Sequence, residues 1–257
     1  LLLGFFCSWM WPYDDPSPIT YFKITKDHKR LRLSLFYAIG SAISIGVALL
    51  IGGVALWLFW PACSLLMVSC IYLFIGSHAF QKDKNGKISS SAKWILYPYL
   101  LAAKINSIYW TRNEKPANLI TDQVSIGRFP STRELQENKY STVIDLTAEF
   151  SAPEMGNSKW VAIPCLDLVS PPVTNLLQAA TQIEDSATQG SVLVCCALGY
   201  TRSTLSVLLW LIISNRVSSV ELGVSLIKLA RPQVVLKPAD LQLIELALRK
   251  VKNDKHE

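Results

Sequence analysis

The sequence lacks charged side chains over the stretch 33–80, where no Asp, Glu, Lys or Arg occurs. About 20 consecutive apolar residues are enough for a helix to cross a lipid bilayer. The stretch is therefore long enough for two crossings, and we predict transmembrane helices over about 34–58 and 62–80, separated at Trp60 and Pro61. A buried helical hairpin of a soluble protein is the alternative interpretation.

Basic residues flank this uncharged stretch on both sides: Lys23, Lys26, Lys29, Arg30 and Arg32 precede it, and Lys82, Lys84 and Lys87 follow it. Positive charge marks the cytoplasmic side of membrane helices, so we expect an integral membrane protein with both ends of the hairpin, and the domain that follows, on the cytoplasmic side. The formal net charge is +6, but no basic face interleaved with aromatics is present. A nucleic-acid partner is therefore not expected.

Histidine is scarce, with His28, His78 and His256 as the three examples, and no glycine-rich nucleotide-binding loop occurs. These absences argue against a Cys-His protease, a His-rich metal site and nucleotide-dependent chemistry, so no metal or cofactor is predicted. The six cysteines have no regular spacing, which favours reduced thiols over a disulfide framework. They occur at positions 7, 63, 70, 165, 195 and 196.

The chain begins with the apolar run LLLGFFCSWMW and without Met, which we interpret as the end of a longer apolar helix in a longer protein. We assign residues 1–92 to a membrane region. Residues 93–116, with Trp and Tyr towards both ends, predict an interfacial aromatic helix or linker at the lipid headgroups. Packing of this helix on the next domain is the alternative. Pro98 is expected to start or kink it.

Residues 117–257 alternate strand and helix patterns, which predicts an α/β domain. Strand patterns occur at 124–127, 142–146, 160–163 and 191–194, and helix patterns at 171–189, 203–215, 218–230 and 238–252. The sequence STRE at 131–134 is typical of a capping box and predicts one further short helix.

The run CCALGYTRS at 195–203 follows the last predicted strand and leads directly into an apolar helix. Backbone N–H groups of such a loop and the N-terminus of the next helix can bind a phosphoryl group. Gly199 permits the tight turn, and Arg202 offers a planar fork for two oxygens. The same positive field stabilises a thiolate at Cys196, the nucleophile that covalent phosphoryl transfer needs. The predicted phosphate contacts are Ala197, Leu198, Gly199, Tyr200, Thr201 and Arg202.

The run VCCALGYTRS at 194–203 resembles the signature of the dual-specificity branch of the protein tyrosine phosphatase superfamily. Four other segments resemble that family's opening strand, second strand, general-acid loop and late helix end: VSIGR at 124–128, TVIDL at 142–146, IPCLD at 163–167 and LARP at 229–232. The resemblance implies a cysteine-phosphatase fold, with a central mixed sheet flanked by helices, preceded here by the transmembrane hairpin. The overall order is also similar to bacterial proteins that join a phosphatidic-acid-phosphatase-like membrane region to such a phosphatase.

By this resemblance Cys196 is the nucleophile, Arg202 the phosphate clamp and Asp167 the general acid. Asp145 competes for the acid role, but its position within a strand favours a structural role. Ser203 is expected to hydrogen-bond the leaving thiolate, to cap the helix, or to do both. The implied substrate is a phosphorylated protein (Tyr, Ser or Thr) or a phospholipid headgroup, phosphatidylglycerophosphate being a guess by analogy.

Cys195 stands where the family usually has His. We favour a buried cysteine at the strand end over a thiol that protects Cys196 by disulfide exchange, because vicinal disulfides are strained. Cys165 is another candidate redox partner. The departure at Cys195 keeps open an alternative function, a catalytically weak phosphate-binding module that scaffolds a phosphorylated partner at the membrane.

Overall fold

The computed structural model describes residues 25, 27–138, 140–153 and 158–253. The interpretation of residues 1–11, with Cys7, lies outside the described residues, as does His256. The chain forms two compact units. The first contains Leu1–Asp83 and Lys87–Asn106, and the second contains Lys84–Gly86 and Ser107–Glu257.

The first unit begins with helix α1 (His28–Ile51), whose N-terminus is capped by the Asp27 carboxylate through a 2.8 Å hydrogen bond from the Lys29 amide. A 3-10 helix (Gly53–Leu58), helix α2 (Phe59–Cys70) and a π-helical turn (Ile71–Ile75) follow without interruption. By length and composition, His28–Ile51 and Gly53–Ile75 are each apolar and long enough to cross a membrane.

The predicted position of the break between the two apolar helices is wrong. The break lies at Gly52 and Gly53, whose φ values of 66° and 53° belong to the left-handed region that glycine adopts without strain. Pro61 instead lies in the first turn of α2, a position at which helices tolerate proline. The predicted helix bounds 34–58 and 62–80 are therefore corrected to those given above, while the membrane crossing itself stays a prediction.

Serine hydroxyls join α1 to α2 inside this apolar unit. The Ser34 and Ser69 hydroxyl oxygens lie 2.9 Å apart, and the Ser41 hydroxyl donates to the Ala62 carbonyl at 2.8 Å. All four residues are buried. The two helices thus pack through small side chains and satisfied hydroxyl groups, a common arrangement between membrane helices.

Helix α3 (Ser90–Thr111) contains Pro98 in its interior, so of the two predicted effects of Pro98, a helix start or a kink, the helix start is wrong. A proline cannot donate to the carbonyl four residues earlier, here that of Trp94. The indole of Trp60 supplies the missing donor, with its Nε1 3.2 Å from the Trp94 oxygen. The helix therefore tolerates the proline because the carbonyl that it leaves unpaired is satisfied from α2.

The second unit is built on a five-stranded mixed sheet, which confirms the predicted α/β class with helices around a central mixed sheet. Its strands are β1 (Ala117–Leu119), β2 (Val124–Arg128), β3 (Thr142–Thr147), β4 (Lys159–Cys165) and β5 (Val192–Cys196). They lie in the order β1-β2-β5-β3-β4, and only β1 is antiparallel to its neighbour. The central strand β5 therefore ends at the middle of the sheet's carboxyl edge.

Among its described residues, this unit wholly contains five helices: α4 (Thr132–Asn138), α5 (Val173–Ala187), α6 (Arg202–Ile213), α7 (Val220–Ala230) and α8 (Pro238–Asn253). Helix α4 begins with the predicted capping box, since the Glu134 amide donates to the Ser131 hydroxyl at 3.3 Å and the Ser131 amide donates to the Glu134 carboxylate at 2.9 Å. The largest apolar core contains side chains of α5, α6, α7 and α8.

Alternation along β5 sends its two cysteines to opposite faces of the sheet. Cys196 joins the large core with Val194, whereas Cys195 joins a smaller cluster with Trp160 and Leu193. Both cysteines are buried. Two residues adjacent in sequence thus have different surroundings. Cys196, the last residue of β5, is followed directly by the loop described next.

Candidate active site

The candidate phosphate loop, residues 197–201 and called the phosphate loop below, joins the end of β5 at Cys196 to the start of α6 at Arg202. Gly199 has a φ of 74°, and a Cβ there would lie 2.6 Å from the Gly127 carbonyl carbon and oxygen. Such contacts leave no room for a side chain. The close approach of the loop to β2 therefore requires glycine at this position.

The Cys196 sulfur lies at the entrance of helix α6 and has two polar neighbours. The Gly199 amide donates to Sγ at 3.3 Å, and the Ser203 hydroxyl oxygen is 3.4 Å from Sγ. The sulfur thus lies where the unpaired N–H groups of a helix start are found, with one backbone amide directed at it. Ser203 lies inside α6 and the N-cap residue is Thr201, so the interpretation of Ser203 as the helix cap is wrong.

Arg202 is almost fully buried and both of its terminal nitrogens are engaged. Nη1 donates to the backbone carbonyls of Cys165 at 2.8 Å and Leu146 at 3.3 Å, and to Glu149 Oε2 at 3.2 Å. Nη2 donates to Glu149 Oε1 and to Asp167 Oδ1, each at 2.8 Å. Burial alone lowers the pKa of Arg202, but Glu149, Asp167 and Cys196 together hold it well above its ordinary value.

Glu149 was not predicted as a site residue, although it contacts both terminal nitrogens of the buried guanidinium. Its side chain is 2% exposed and it follows β3 in a segment that is buried throughout. The sequence does contain a signal for it, a carboxylate between the apolar residues Ala148 and Phe150. A buried charge must be paired, so an acidic residue inside an apolar run indicates a basic partner elsewhere in the chain.

Asp167 lies just after β4, and its Oδ1 is 2.8 Å from Arg202 Nη2. Its side chain is 35% exposed. Burial raises the pKa of Asp167, Arg202 opposes this rise, and the nearby Glu149 adds to it. The following residue, Leu168, has a φ of 60°, an uncommon conformation for a non-glycine residue. Asp167 thus combines a charged partner with an environment that favours its protonated form.

Asp145, the competing acid, is fully buried and has a structural set of partners. Its Oδ1 accepts hydrogen bonds at 2.8 Å from both the amide and the hydroxyl of Thr147. Its Oδ2 accepts a hydrogen bond from Trp160 Nε1 at 3.2 Å. A carboxylate held by three donors on a central strand has little freedom to deliver a proton, so this arrangement favours Asp167 as the candidate acid.

The remaining predicted phosphate contacts all lie in the phosphate loop. Ala197 is buried, while Leu198, Tyr200 and Thr201 are partly exposed. The Tyr200 hydroxyl donates to Glu114 Oε1 at 2.6 Å, and burial together with Glu114 raises the pKa of Tyr200 to about 12. The Thr201 hydroxyl donates to the Val235 carbonyl at 2.9 Å. These side chains are therefore held by neighbouring segments, which leaves the loop's backbone N–H groups as the candidate phosphate donors.

Cys165, the other redox candidate, is a buried thiol whose pKa is raised to about 12 by burial. Its sulfur is 3.4 Å from the Ile163 carbonyl and 3.5 Å from the Asn175 side-chain nitrogen. A thiol with so high a pKa is a poor nucleophile at neutral pH. Within the part of the chain that the structure describes, no group of three or more His, Cys, Asp or Glu is arranged to hold a metal ion.

Comparison with known proteins gives matches among solved structures. No family model matches the chain, and no curated protein sequence does. The structure is similar to Tk-PTP in its active form, with 23% identity over 51% of this chain and 95% of that one, at a TM-score of 0.47. It is similar to human DUSP28, with 15% identity over 54% and 96% of the two chains and a TM-score of 0.48. It is also similar to PTPMT1 in complex with PI(5)P, with 17% identity over 55% and 99% and a TM-score of 0.49.

Proposed function

We propose that the chain is a membrane-tethered phosphomonoester hydrolase that works through a phosphocysteine intermediate. The observation that carries the proposal is the set of contacts around one sulfur atom. Cys196 Sγ accepts a hydrogen bond from the Gly199 amide at 3.3 Å and lies 3.4 Å from the Ser203 hydroxyl oxygen. It is close to the start of helix α6, whose first residue is the buried Arg202. This is the combination that a phosphate-binding thiolate nucleophile requires.

Substrate binding would use the phosphate loop and Arg202. The backbone N–H groups of the loop and the positive end of α6 would bind the phosphoryl oxygens. Asp167 Oδ1 contacts Arg202 Nη2 at 2.8 Å, so a phosphoryl oxygen would compete with this carboxylate for the same nitrogen. Glu149 would keep Arg202 in place during the exchange, because it contacts both terminal nitrogens. Displaced from Arg202, Asp167 would lose the partner that lowers its pKa.

In the first chemical step the Cys196 thiolate attacks phosphorus and the bond from phosphorus to the ester oxygen breaks. The departing oxygen takes its proton from the Asp167 carboxyl group, which becomes a carboxylate. Burial raises the pKa of Asp167, which favours the protonated form that this step needs. Arg202 and the loop N–H groups stabilise the charge on the three remaining oxygens.

In the second step a water molecule attacks the phosphocysteine and the sulfur–phosphorus bond breaks. The Asp167 carboxylate accepts the proton of the attacking water and so returns to its acid form. The Ser203 hydroxyl donates a hydrogen bond to the departing Cys196 sulfur, consistent with their 3.4 Å separation. The products are inorganic phosphate and the free thiolate, and no metal or cofactor takes part.

The first unit supports the membrane tether. Its two long apolar helices leave large side chains exposed, among them Leu50 at 88% and Val54 at 86%, around the turn at Gly52. On α3, the exposed Trp94, Tyr97, Leu101 and Ile105 recur every three or four residues and so lie on one face. Aromatic and aliphatic side chains on one helix face are typical of the membrane interface. A hairpin with basic flanks would leave the catalytic unit on the cytoplasmic side.

The substrates consistent with this arrangement are phosphorylated proteins and phospholipid headgroups near the cytoplasmic membrane surface. Both present the same phosphomonoester to the phosphate loop, so the chemistry of the loop itself does not favour either. The two are distinguished by turnover of a tyrosine phosphopeptide in solution and of phosphatidylglycerophosphate in detergent micelles. Equal activity on the phosphopeptide and the phospholipid would indicate a site that recognises only the phosphoryl group.

The test is hydrolysis of an aryl phosphate by the full chain in detergent, compared with Cys196→Ser and with Cys63→Ser as a matched cysteine control outside the site. We expect Cys196→Ser to abolish turnover and Cys63→Ser to retain it, and a chelator to have no effect. Trapping the phosphocysteine by rapid acid quench would identify the intermediate. Phosphate binding without turnover would instead favour the phosphate-binding scaffold suggested by Cys195.

A further inference from the structure

The outward face of the phosphate loop carries a series of hydrogen-bonded carbonyl groups. The Leu198 and Gly199 oxygens accept hydrogen bonds from Arg231, at 3.1 Å and 2.9 Å. The Tyr200 oxygen accepts from the Thr204 hydroxyl at 2.9 Å and the Val235 amide at 3.3 Å. The carbonyls of Leu198, Gly199 and Tyr200 therefore each accept at least one hydrogen bond on the outward face of the loop.

The orientation of these carbonyls determines where the loop's N–H groups point. A trans peptide is planar, so the C=O of one residue and the N–H of the next point in opposite directions. A donor that holds the Leu198 carbonyl outward therefore turns the Gly199 N–H inward, and that N–H donates to Cys196 Sγ at 3.3 Å. The same relation makes the Ala197 carbonyl the group that orients the Leu198 N–H.

The donor to the Ala197 carbonyl comes from outside the region that resembles a phosphatase domain. The Ser107 hydroxyl, in the last part of α3, donates to the Ala197 oxygen at 2.8 Å. Ser107 is 8% exposed, so water has little access to replace it. The Phe129 amide also approaches the Ala197 oxygen, at 3.4 Å, which is the longer of the two contacts.

The chain that follows Ser107 makes further contacts with the same loop. Glu114 accepts the hydrogen bond from the Tyr200 hydroxyl at 2.6 Å. Arg231 Nη1 donates to the Lys115 carbonyl at 3.2 Å and to Asn118 Oδ1 at 2.7 Å, which fixes the guanidinium that holds Leu198 and Gly199. The segment 107–118 thus contacts or braces most of the outward face of the loop.

We propose that Ser107 is a positioning residue for phosphate binding, which acts by holding the Ala197 carbonyl so that the Leu198 N–H faces the phosphoryl oxygens. The inference rests on the proposed phosphatase function and adds to it a residue of α3. The working phosphate site would then begin at Ser107 and not at residue 117, because the loop's inward donors depend on a hydroxyl group supplied by α3.

The test compares Ser107→Ala and Ser107→Thr in the full chain, with Ser214→Ala as the matched control. Ser214 also donates its hydroxyl to a backbone carbonyl, that of Trp210 at 2.6 Å, but at the far end of α6. The measurements are kcat/KM for an aryl phosphate, the dissociation constant of inorganic phosphate by calorimetry, and the thermal midpoint. Calorimetry tests the positioning role even if the full chain proves to have no turnover.

Loss of one buried hydrogen bond corresponds to about a tenfold change in an equilibrium constant. We expect Ser107→Ala to weaken phosphate binding, and to lower any kcat/KM, by about this factor, while Ser107→Thr stays close to the unaltered chain. Ser214→Ala should leave both values unchanged. Phosphate affinity unaltered in Ser107→Ala, or lowered equally in the Thr variant, would overturn the proposal. Absence of turnover in the unaltered chain, with phosphate bound normally, would count against the proposed function only.

Discussion

Glu149 accepts hydrogen bonds from both terminal nitrogens of Arg202, at 3.2 Å from Nη1 and 2.8 Å from Nη2, and both side chains are almost fully buried. Two buried opposite charges with this geometry hold each other in one orientation. Removing one partner leaves the other charge uncompensated in the interior. The position of the guanidinium that would bind phosphate therefore depends on Glu149.

Glu149→Gln is accordingly expected to lower kcat/KM for an aryl phosphate by about tenfold or more, because the amide cannot accept at both oxygen positions or neutralise Arg202. The control is Glu184→Gln, which breaks an ion pair with Arg216 whose side chains are 37% and 45% exposed. Exposed pairs contribute little, so this variant should keep its activity. Equal activity of the two variants would show that Arg202 does not need its buried partner.

Asp167→Asn should alter the pH profile of turnover. A general acid works only while protonated, so activity that depends on Asp167 is present below its pKa and is lost as pH rises through it. Burial raises the pKa of Asp167, and this moves the descending limb above the ordinary range for aspartate. We expect the Asn variant to lose that limb and to turn over an alkyl phosphate about 100-fold more slowly or worse.

The control for the Asp167 experiment is the leaving group itself. An aryl phosphate with a strongly acidic phenol needs no proton to depart, so Asp167→Asn should slow its hydrolysis much less than that of the alkyl ester. The corresponding Asp145→Asn substitution alters a carboxylate bound by Thr147 and Trp160 and should retain the descending limb. A limb that disappears in the Asp145 variant would transfer the acid role to that residue.

Gly199→Ala is expected to abolish phosphate binding. Its φ of 74° disfavours a side chain, and the new Cβ would lie 2.6 Å from the Gly127 carbonyl group, so the loop would have to move away from β2. Gly46→Ala in α1 is the matched control, because a Cβ there has no heavy atom within 4 Å. Calorimetry with inorganic phosphate checks both, and retention of phosphate binding by Gly199→Ala would contradict the steric argument.

Much of the second unit could be predicted because its cues are local. Alternating and continuous apolar runs located β2 to β5, and the glycine and arginine of the loop predicted the candidate phosphate site. The short edge strand β1 was missed, since three residues give too little periodicity. Glu149 and Ser107 were missed for another reason. Their importance comes from contacts with Arg202 and Ala197, which are distant in sequence, and no local pattern records such a contact.

The error in the first unit has a different physical origin. The sequence contains both a proline and a glycine pair that could end the first apolar helix, and the predicted break at Pro61 was the wrong one of the two. Proline is tolerated in the first turn of a helix, whereas the left-handed backbone at Gly52 and Gly53 ends one. In an uncharged stretch, where hydropathy does not mark the turn, adjacent glycines were thus the stronger signal.

Cys195→Ala should leave turnover within a few-fold of the unaltered chain. Cys195 packs with Trp160 and Leu193 on the face of the sheet opposite to the Cys196 side chain, so its thiol does not contact the reacting sulfur. The loss of one small buried group costs about 1 kcal/mol of stability, which a thermal midpoint would register. If turnover falls as far in Cys195→Ala as in Cys196→Ser, Cys195 takes part in the chemistry.

The membrane tether predicts how the full chain is extracted from lipid vesicles. Helices that bury apolar side chains such as Leu50 and Val54 in the bilayer core are not released by salt, because screening weakens only charge contacts. We therefore expect the reconstituted chain to float with the vesicles through washes in 1 M salt and alkaline carbonate, and to be released by detergent. A basic peripheral protein mixed with anionic vesicles is the control that salt should remove. Release of the chain by salt alone would mean that α1 and α2 pack as a soluble hairpin, and the catalytic unit would then reach its substrates without a membrane anchor.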